Sequence, residues 1–291
     1  MDELPLVSII TGYYNRTENL KESVQSILDQ SYSNFEYIIF DDCSDDGTYE
    51  LLTQFGDSRV ILIRHDKNIG FTKGIIAAIA RSKGSLIAIH GAGDISFPSR
   101  IEKQVHLLQS DSNIGMVGCL LEDVSSEGGK IHSPIDGNNE SHFTQGEVIY
   151  RKSLYYEVGG YNSLFRYGQF TLLKREILKI SKAAFVDEIL YRRIHYGNGV
   201  TKNPKRQFEQ AFYIKLGQEL SNKNSIMEVD VSKVVISAGL AFFSLLDGSV
   251  NESLFIFHLK KKKIGYAIFY LYKSKILPKK FTVRLLRKIT Q

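Results

Sequence analysis

Two acidic segments of the chain have residue types and positions that could do chemistry. Asp41 and Asp42 follow the apolar segment Glu36–Phe40, and Asp94 comes shortly after the apolar segment Leu86–His90. A carboxylate at the end of a buried strand is costly unless it meets a ligand, hydrogen-bond donors or a cation. It can bind a nucleotide base or ribose, and Mg²⁺ typically takes one or two carboxylates together with phosphate oxygens. Because Asp and Gly are also common turn and cap residues, capping alone is the alternative for both segments.

The hydrophobic pattern predicts the elements that position these carboxylates. Short runs rich in Ile and Val alternate with helical patterns over residues 1–110, which predicts an α/β fold with a mostly parallel sheet covered by helices on both faces. In such sheets ligands bind beyond the carboxyl ends of the strands, where Asp42 and Asp94 fall. Asn15 is predicted to cap the first helix, with Glu18 completing a capping box. The predicted strands are Leu6–Thr11, Glu36–Phe40, Val60–Arg64 and Leu86–His90.

The pattern changes in the second part of the chain. Strands are predicted at Met116–Leu121 and Phe185–Ile194, and the polar, glycine-containing stretch Ser125–Gly146 is predicted to be a loop. Asn203-Pro204 marks a boundary, after which helices are expected. We therefore predict three parts, residues 1–110, 111–202 and a helical extension over 203–291.

Composition excludes several classes of protein. With 43% hydrophobic and 24% charged residues, the chain has the balance of a globular protein rather than of a disordered, collagen-like or coiled-coil one. Cys43 and Cys119 are too few for a disulfide framework or a Cys-rich zinc site. There is no secretory leader pattern, no apolar run long enough for a membrane span, no P-loop and no dinucleotide-binding fingerprint. These features predict a cytoplasmic protein.

Several motifs resemble, in order and spacing, those of family 2 glycosyltransferases. The resemblance implies the GT-A fold, with a nucleotide-sugar-binding half over residues 1–110 and an acceptor-binding half over 111–202. It also implies transfer of a sugar from a nucleotide diphosphate donor with inversion at the anomeric carbon. The matching segments, within residues 5–200, are Leu6–Arg16, Phe40–Thr48, Asn68–Gly70 with Lys73, Lys83-Gly84, Gly93–Arg100, Tyr150–Asn162 and Leu190–His195.

The same resemblance implies roles for individual residues. Asp42 would contact the base, usually uracil, with Asp41 beside it. Asp94 would be the last carboxylate of a D-x-D-type motif and would hold Mg²⁺ or Mn²⁺, a Lewis acid that bridges diphosphate oxygens. For His195, a position near the diphosphate and the metal and a purely structural role at a strand end are both open. The other residues implied to border the nucleotide are Gly12, Tyr13, Arg16, Lys73 and Gly93.

Two departures from the family pattern affect the expected site. Gly91 and Gly93 stand where further Asp residues are usual, so metal binding would depend mainly on Asp94. Gln169 stands where family members carry the Asp that deprotonates the acceptor hydroxyl, and a side-chain amide is not a base at neutral pH.

Three explanations of Gln169 stay open. In the first, another carboxylate supplies the base. Asp187 and Glu188 are candidates, although both also fit surface positions on a strand. Tyr167 is a poor substitute, because the ordinary pKa of a tyrosine is about 10. Otherwise the acceptor needs little help from a base, or the chain binds donor without efficient transfer. We therefore predict an inverting glycosyltransferase, with a weak or inactive donor-binding partner in a synthesis complex as the alternative.

The C-terminal segment is strongly basic. Between Asn251 and Gln291 eleven Lys and Arg face one Glu, a net charge of +10 within a chain whose total is +5. The clusters Lys260–Lys263 and Lys279–Lys288 flank apolar residues, which is typical of a segment lying on anionic lipid. Packing against the body is the alternative, and nucleic acid is disfavoured because no recognition fold accompanies the charge. We expect a peripheral protein on the inner face of the cytoplasmic membrane, where a saccharide or lipid-linked acceptor would serve surface polysaccharide synthesis (O-antigen, capsule or exopolysaccharide).

Overall fold

Four short strands rich in β-branched residues form the parallel half of a sheet. They are β1 (Val7–Tyr13), β2 (Phe35–Asp41), β3 (Val60–Arg64) and β4 (Leu86–Ile89), in the spatial order β3-β2-β1-β4. Every residue of β2 is buried, and only Gly12 of β1 is partly exposed. This burial explains the near-continuous apolar runs of β1 and β2, because a central parallel strand is covered on both faces. Each predicted strand of this half is confirmed to within two residues at its ends.

The computed structural model describes residues 4–125, 128–132, 143–163, 165–195 and 204–221. These residues fall into two compact units, the first within Met1–Leu164 and Leu173–Tyr196 and the second within Phe165–Leu172 and Gly197–Gln291. All strands of the sheet belong to the first unit. The basic clusters Lys260–Lys263 and Lys279–Lys288 lie outside the described residues.

Four helices connect or follow the parallel strands. Their apolar positions recur at helical spacing and are buried, for example Leu20, Val24 and Ile27 of the first helix and Ile101, Val105 and Leu108 of the fourth. The helices are α1 (Leu20–Leu28), α2 (Thr48–Leu52), α3 (Phe71–Arg81) and α4 (Arg100–Ser110). The alternation of strands and helices confirms the predicted α/β class.

The second half of the sheet is mixed rather than parallel. The strand order continues from β4 as β8-β6-β9-β5, where only β6 and β9 pair in parallel, and β7 adds to β6. The bounds of these strands are β5 (Ile95–Ser96), β6 (Ile114–Ser125), β7 (Gly128–His132), β8 (Ile149–Arg151) and β9 (Lys182–Ile194).

Strand β7 corrects part of the predicted loop Ser125–Gly146. It pairs antiparallel with β6 in the register Leu121↔His132 to Ser125↔Gly128. Among the described strands β7 pairs with β6 alone, and a strand paired along one side only needs no run of apolar residues, so the polar sequence concealed it. Residues 133–142 of the predicted loop lie outside the described residues.

Three further helices complete the described chain, α5 (Lys152–Glu157), α6 (Gln169–Ile180) and α7 (Pro204–Leu220). Residues Gln169–Leu172, the first turn of α6, belong to the second unit with α7. Within that unit the rings of Phe165 and Tyr213 lie 5.5 Å apart, and Phe212 and Leu216 are buried. Helix α7 agrees with a helical segment after Asn203-Pro204, while the three predicted domain bounds stay a prediction.

Candidate functional site

The exits of three strands meet at one edge of the sheet. Strand β1 pairs with β2 on one side and with β4 on the other. Just past the strand ends, the Asp42 amide donates to the Tyr13 carbonyl at 2.8 Å and the His90 amide donates to the Ile10 carbonyl at 2.9 Å. With neighbouring strands ~4.8 Å apart, the loops that carry Asp42 and Asp94 begin roughly 10 Å from each other. The structure therefore brings both predicted acidic segments to one place.

The loop between β1 and α1 fixes both acidic loops. The Asn15 amide donates to Ser44 Oγ at 2.9 Å, and its side chain exchanges hydrogen bonds with Asp45 of the β2 loop. On the other side, Asn19 Nδ2 donates to the Gly93 carbonyl at 2.8 Å. Both asparagines have positive φ angles, 47° and 55°, which Asn tolerates better than most residues. The predicted N-cap at Asn15 is thus wrong, because α1 begins at Leu20 and Asn15 joins two loops instead.

Asp42 is a buried carboxylate that accepts hydrogen bonds from three donors. His65 Nδ1 lies 2.8 Å from Oδ1, the Ile69 amide donates to Oδ1 at 2.9 Å, and the Gly70 amide donates to Oδ2 at 2.8 Å. An ionised carboxylate has no proton to give, so His65 must carry its hydrogen on Nδ1. Asp42 therefore fixes the start of α3, the segment that carries Lys73, and each of its oxygens keeps acceptor capacity.

Asp41 is fully buried beside Asp42. Its Oδ2 accepts from the Ser44 amide at 3.1 Å and lies 3.7 Å from Arg64 Nε, while Oδ1 is buried without a hydrogen-bond partner among the described residues. Arg64 also stacks on Tyr49, with its guanidinium carbon 4.2 Å from the ring centroid. Asp41 thus shapes the turn after β2 rather than facing solvent.

The remaining predicted nucleotide-binding residues divide by exposure. The Tyr13 side chain is fully enclosed in the core, so only its main chain can border a pocket without rearrangement. Lys73 is exposed in the first turn of α3. The Arg16 amide donates to Thr48 Oγ1 at 2.9 Å, and its guanidinium lies 3.3 Å from Glu18. Tyr14, which sequence reasoning passed over, is 52% exposed at the exit of β1.

Gly12 has a packing reason of its own. A Cβ atom at Gly12 would lie 2.2 Å from the Phe40 ring, and one at Gly74 would lie 2.4 Å from the same ring. The two glycines let β1 and α3 close on Phe40, whose ring also stacks on His65 at 5.6 Å. Gly12 is therefore required for this packing, whether or not a ligand approaches it.

Asp94 is held by strand β9, about 100 residues further along the chain. Tyr191 Oη donates to Asp94 Oδ2 at 2.7 Å, and the Ile194 amide donates to Oδ1 at 3.0 Å. Burial raises the pKa of Asp94 above its ordinary value, and the bonds from Tyr191 and Ile194 and the charges of Arg193 and His195 oppose that rise. Asp94 is thus a desolvated carboxylate whose ionised form is supported from one strand.

The glycines before Asp94 form the turn that presents it. Gly93 has φ 90°, a left-handed conformation that favours glycine, and its amide donates to Ser23 Oγ at 3.1 Å. Ser23 also bonds His90 Nε2 at 3.0 Å. Burial, together with the charge of Arg100, lowers the pKa of His90 to about 3, so His90 is a neutral group under this turn.

His195 has a carboxylate partner that sequence reasoning missed. Its Nε2 lies 2.9 Å from Asp123 Oδ1, and Arg193 holds the same carboxylate with two bonds of 2.5 and 2.6 Å. Although burial acts to raise it, the pKa of Asp123 is lowered by the hydrogen bond and charge of Arg193 and by His195. No sequence signal marked Asp123, because it lies on β6 some 72 positions from His195.

The donor set fits a cation that takes most of its ligands from a nucleotide and water. Asp94 supplies one carboxylate, and His195 follows directly after the residue whose amide bonds that carboxylate. In the part of the chain that the structure describes, no three His, Cys, Asp or Glu side chains are grouped to hold a metal. One carboxylate with a neighbouring imidazole is a sparse set, but Mg²⁺ is commonly held by one or two carboxylates plus phosphate oxygens.

The residues considered for the catalytic base lie on two elements. Gln169 is the buried first residue of α6 and belongs to the second unit. Asp187 and Glu188 are exposed on β9, and Glu188 pairs with Lys103 at 2.6 Å. The structure thus agrees with surface positions for these two carboxylates.

Family and structural comparisons agree with this fold. Residues 8–180 match the model of glycosyl transferase family 2. The chain therefore belongs to this family of glycosyltransferases.

Two relatives of this chain are described as glycosyltransferases. The chain is 32% identical over 176 residues to a putative glycosyltransferase, EpsE, of Bacillus subtilis (strain 168), which covers 57% of this chain and 63% of EpsE. It is 33% identical over 108 residues to WfaP of Escherichia coli, described as a UDP-Glc:alpha-D-GlcNAc-diphosphoundecaprenol beta-1,3-glucosyltransferase, covering 37% of this chain and 43% of WfaP. The chain thus matches about two fifths to three fifths of the length of these two relatives.

Solved structures share the GT-A fold at low sequence identity. S. aureus TarS 1-349 in complex with UDP-GlcNAc superposes with a TM-score of 0.66 at 15% identity, over 94% of this chain and 81% of that one. The mannosyltransferase PcManGT from Pyrobaculum calidifontis, in complex with GDP-Man and Mn²⁺, gives a TM-score of 0.60 at 14% identity, over 94% and 84%. The predicted GT-A fold is confirmed. Among the described helices, none has the length and apolarity that crossing a bilayer requires.

Proposed function

We propose that this chain transfers a sugar, with inversion, from a UDP-sugar to a saccharide or lipid-linked acceptor. The observation that carries the proposal is the pair of buried carboxylates, Asp42 and Asp94, on the two loops that flank the exit of β1. One would bind the nucleoside and the other the cation at the diphosphate. A single extended donor can contact both, since the loops begin only roughly 10 Å apart.

The nucleoside end would be bound by the β1 and β2 loops. An acceptor oxygen of Asp42 fits the imide N–H of uracil, and its three protein donors keep the carboxylate in place. Tyr14 supplies an exposed ring at the exit of β1, and aromatic faces stack on bases. Tyr14→Ala should raise the UDP dissociation constant about 5- to 100-fold. Tyr156→Ala, which removes a ring that is 55% exposed elsewhere on the chain, is the matched control.

The diphosphate end would be bound by Asp94 and His195 through Mg²⁺ or Mn²⁺. A bound cation neutralises the developing charge on the leaving nucleotide as a Lewis acid. Asp94 would hold it with a carboxylate already fixed by Tyr191 and Ile194, which limits the reorganisation needed on binding. Asp123 would orient His195, as carboxylates commonly orient metal-bound histidines.

The acceptor side is where activity is in question, because Gln169 stands where a base is expected. The alternative function is a donor-binding chain with weak or no transfer. If Gln169 lies at the acceptor hydroxyl, Gln169→Asp should raise kcat by about 10²–10⁴-fold. Gln169→Asn, which keeps an amide, is the control. A wild type that turns over rapidly and gains nothing from Gln169→Asp uses another base or needs none.

The basic C-terminal segment supports a place on the inner face of the cytoplasmic membrane. The clusters Lys260–Lys263 and Lys279–Lys288 would meet anionic headgroups, each basic residue near the surface adding about 1 kcal/mol. A lipid-linked acceptor of the kind in the name of WfaP would lie at the same surface. Flotation with vesicles containing phosphatidylglycerol should retain the whole chain, and truncation after Val250 should release it.

The direct test of the function is a transfer assay with a donor panel. Purified chain is incubated with UDP-, GDP- and dTDP-sugars, Mn²⁺ and lipid-linked or saccharide acceptors, and the anomeric configuration of the product is read by NMR. We expect turnover with a UDP-sugar and inversion at the anomeric carbon. Retention of configuration, or a preference for GDP donors, would contradict the proposal.

A further inference from the structure

We propose that Tyr191 is a positioning residue for the cation site. It holds the Asp94 carboxylate in the orientation that binds the cation, and the missing side chain of Gly91 leaves the space for this contact. The inference rests on the proposed cation at Asp94. It adds that Tyr191 and Gly91 determine how tightly Asp94 binds that cation. Neither Tyr191 nor Gly91 is expected to contact the cation.

The first observation is that one strand bonds both oxygens of Asp94. Tyr191 Oη donates to Oδ2 at 2.7 Å and the Ile194 amide donates to Oδ1 at 3.0 Å. Two donors at opposite oxygens fix the rotation of the carboxylate about its own axis. Without the phenol, only the Ile194 bond would remain from β9.

The second observation is the space that this orientation uses. A Cβ atom at Gly91 would lie 2.1 Å from Asp94 Oδ2 and 3.2 Å from Tyr191 Oη. The carboxylate therefore reaches back over Gly91, and any larger residue there would displace it from Tyr191. This gives a physical reason for glycine where the family usually has an acidic residue.

The third observation is that the phenol of Tyr191 is itself immobilised. Tyr191 is fully buried, and the Gly91 amide donates to its Oη at 2.9 Å, which directs the phenol hydrogen toward Asp94. The Arg100 guanidinium carbon lies 5.2 Å from its ring centroid, and the His90 ring meets it edge-on at 5.6 Å. On the other side, a Cβ at Gly146 would lie 2.5 Å from Oη, so the main chain encloses the oxygen.

Binding of Mn²⁺ to whole-chain variants tests the inference. Mn²⁺ is titrated by electron paramagnetic resonance, with and without saturating UDP, into wild type, Tyr191→Phe and Gly91→Ala. Tyr150→Phe is the matched control, because Tyr150 is equally buried but its hydroxyl pairs with Tyr161 at 3.5 Å. We expect Tyr191→Phe and Gly91→Ala each to raise the Mn²⁺ dissociation constant about 10- to 100-fold, and Tyr150→Phe to leave it unchanged. UDP affinity without metal should not change, whereas general loss of structure would lower it.

A double-substitution cycle separates positioning from general packing. Because both changes break the same contact between Tyr191 and Asp94, Tyr191→Phe in the Gly91→Ala background should weaken Mn²⁺ binding little further. Fully additive effects would overturn the inference. If Tyr191→Phe does not fold, Gly91→Ala alone must lower Mn²⁺ affinity with Tyr191 in place, and unchanged affinity would overturn it.

The outcomes also separate this inference from the proposed function. Wild type that binds no Mn²⁺ in the presence of UDP would overturn both. Wild type that binds Mn²⁺ as tightly as Tyr191→Phe does, or less tightly, would overturn the positioning role alone. In that case Asp94 could still be the ligand, but the phenol would not support it.

Discussion

The two carboxylates at the sheet edge are bonded in contrasting ways. Asp42 receives its three donors from residues 23 to 28 positions later, at the end of β3 and the start of α3. Among the described residues, Asp94 receives two donors, both from β9 and about 100 positions later. The Asp42 region is therefore built by neighbouring elements of the parallel half, and the Asp94 region depends on a strand of the mixed half.

This contrast determines which functions can be changed separately. Asp42 holds the loop that leads into α3, so losing it should disturb structure and nucleoside binding together. Asp94 is desolvated, and its ionised form has a net cost within the fold because burial raises its pKa. A charge kept at such a cost is typical of a functional site rather than of a stabilising contact.

The largest expected effect is on turnover in Asp94→Asn. Loss of the carboxylate removes the cation and several kcal/mol of charge stabilisation, so kcat should fall by about 10³-fold or more, measured with saturating UDP-sugar and Mn²⁺. Asp29→Asn, which alters an exposed carboxylate at the C-terminal end of α1, is the control and should retain wild-type kcat. Equal turnover in the two variants would remove Asp94 from the site.

The next effect is on nucleotide binding and stability in Asp42→Asn. The new amide nitrogen would face one of three N–H donors and leave it unsatisfied, at a cost of about 1–3 kcal/mol in the free energy of unfolding. UDP affinity without metal should fall about 5- to 100-fold, because losing one hydrogen bond to the nucleoside costs a similar amount, about 1–3 kcal/mol, of binding free energy. Calorimetric titration and urea unfolding measure the two quantities. Asp57→Asn, which alters a carboxylate paired with Arg59 away from the site, should not change UDP affinity.

A smaller effect is expected in Asp123→Asn. The amide would not hold His195 and Arg193 together, so Mn²⁺ affinity should fall about tenfold, the low end for partners of metal ligands. Glu122→Gln is a close control, because Glu122 forms an equivalent pair with Arg192 at 2.8 Å on the same two strands. If both variants bind Mn²⁺ alike, His195 has only a structural role.

The smallest expected effect is on the pH dependence of stability. Because the folded pKa of Asp94 is raised, the ionised group destabilises the fold above its unfolded pKa, and this cost disappears as the pH falls below that value. Asp94→Asn, whose amide nitrogen leaves one donor of β9 unsatisfied, should therefore gain stability relative to wild type as the pH rises from 3 to 7. Thermal unfolding of both proteins from pH 3 to 7 measures how the difference between them changes. A difference that stays constant, or that grows in favour of wild type as the pH rises, would show that the ionised Asp94 supports the fold.

The sequence was informative about the region built by neighbouring elements. Continuous apolar runs identified β1 to β4, and the acidic residues after β2 and β4 fell at the sheet edge as expected from parallel topology. Motifs within residues 5–200 led to the family, which the match over residues 8–180 establishes.

Contacts between distant segments could not be predicted in the same way. Tyr191 and Asp123 act on Asp94 and His195 through β9 and β6, whose parallel pairing joins residues about 70 positions apart. Asn15 matched a helix cap locally, but the tertiary contacts with Ser44 and Asp45 decided its role. The polar strand β7 lacked the apolar alternation on which strand prediction depends.

The ratio of UDP dissociation constants without and with Mn²⁺ tests most directly whether the two carboxylates divide the donor between them. Calorimetry would measure it in wild type, Asp42→Asn and Asp94→Asn. We predict that Asp42→Asn weakens UDP binding under both conditions and keeps the wild-type ratio, whereas Asp94→Asn keeps metal-free affinity and brings the ratio close to one. The same change of ratio in both variants, or an unchanged ratio in Asp94→Asn, would contradict this account.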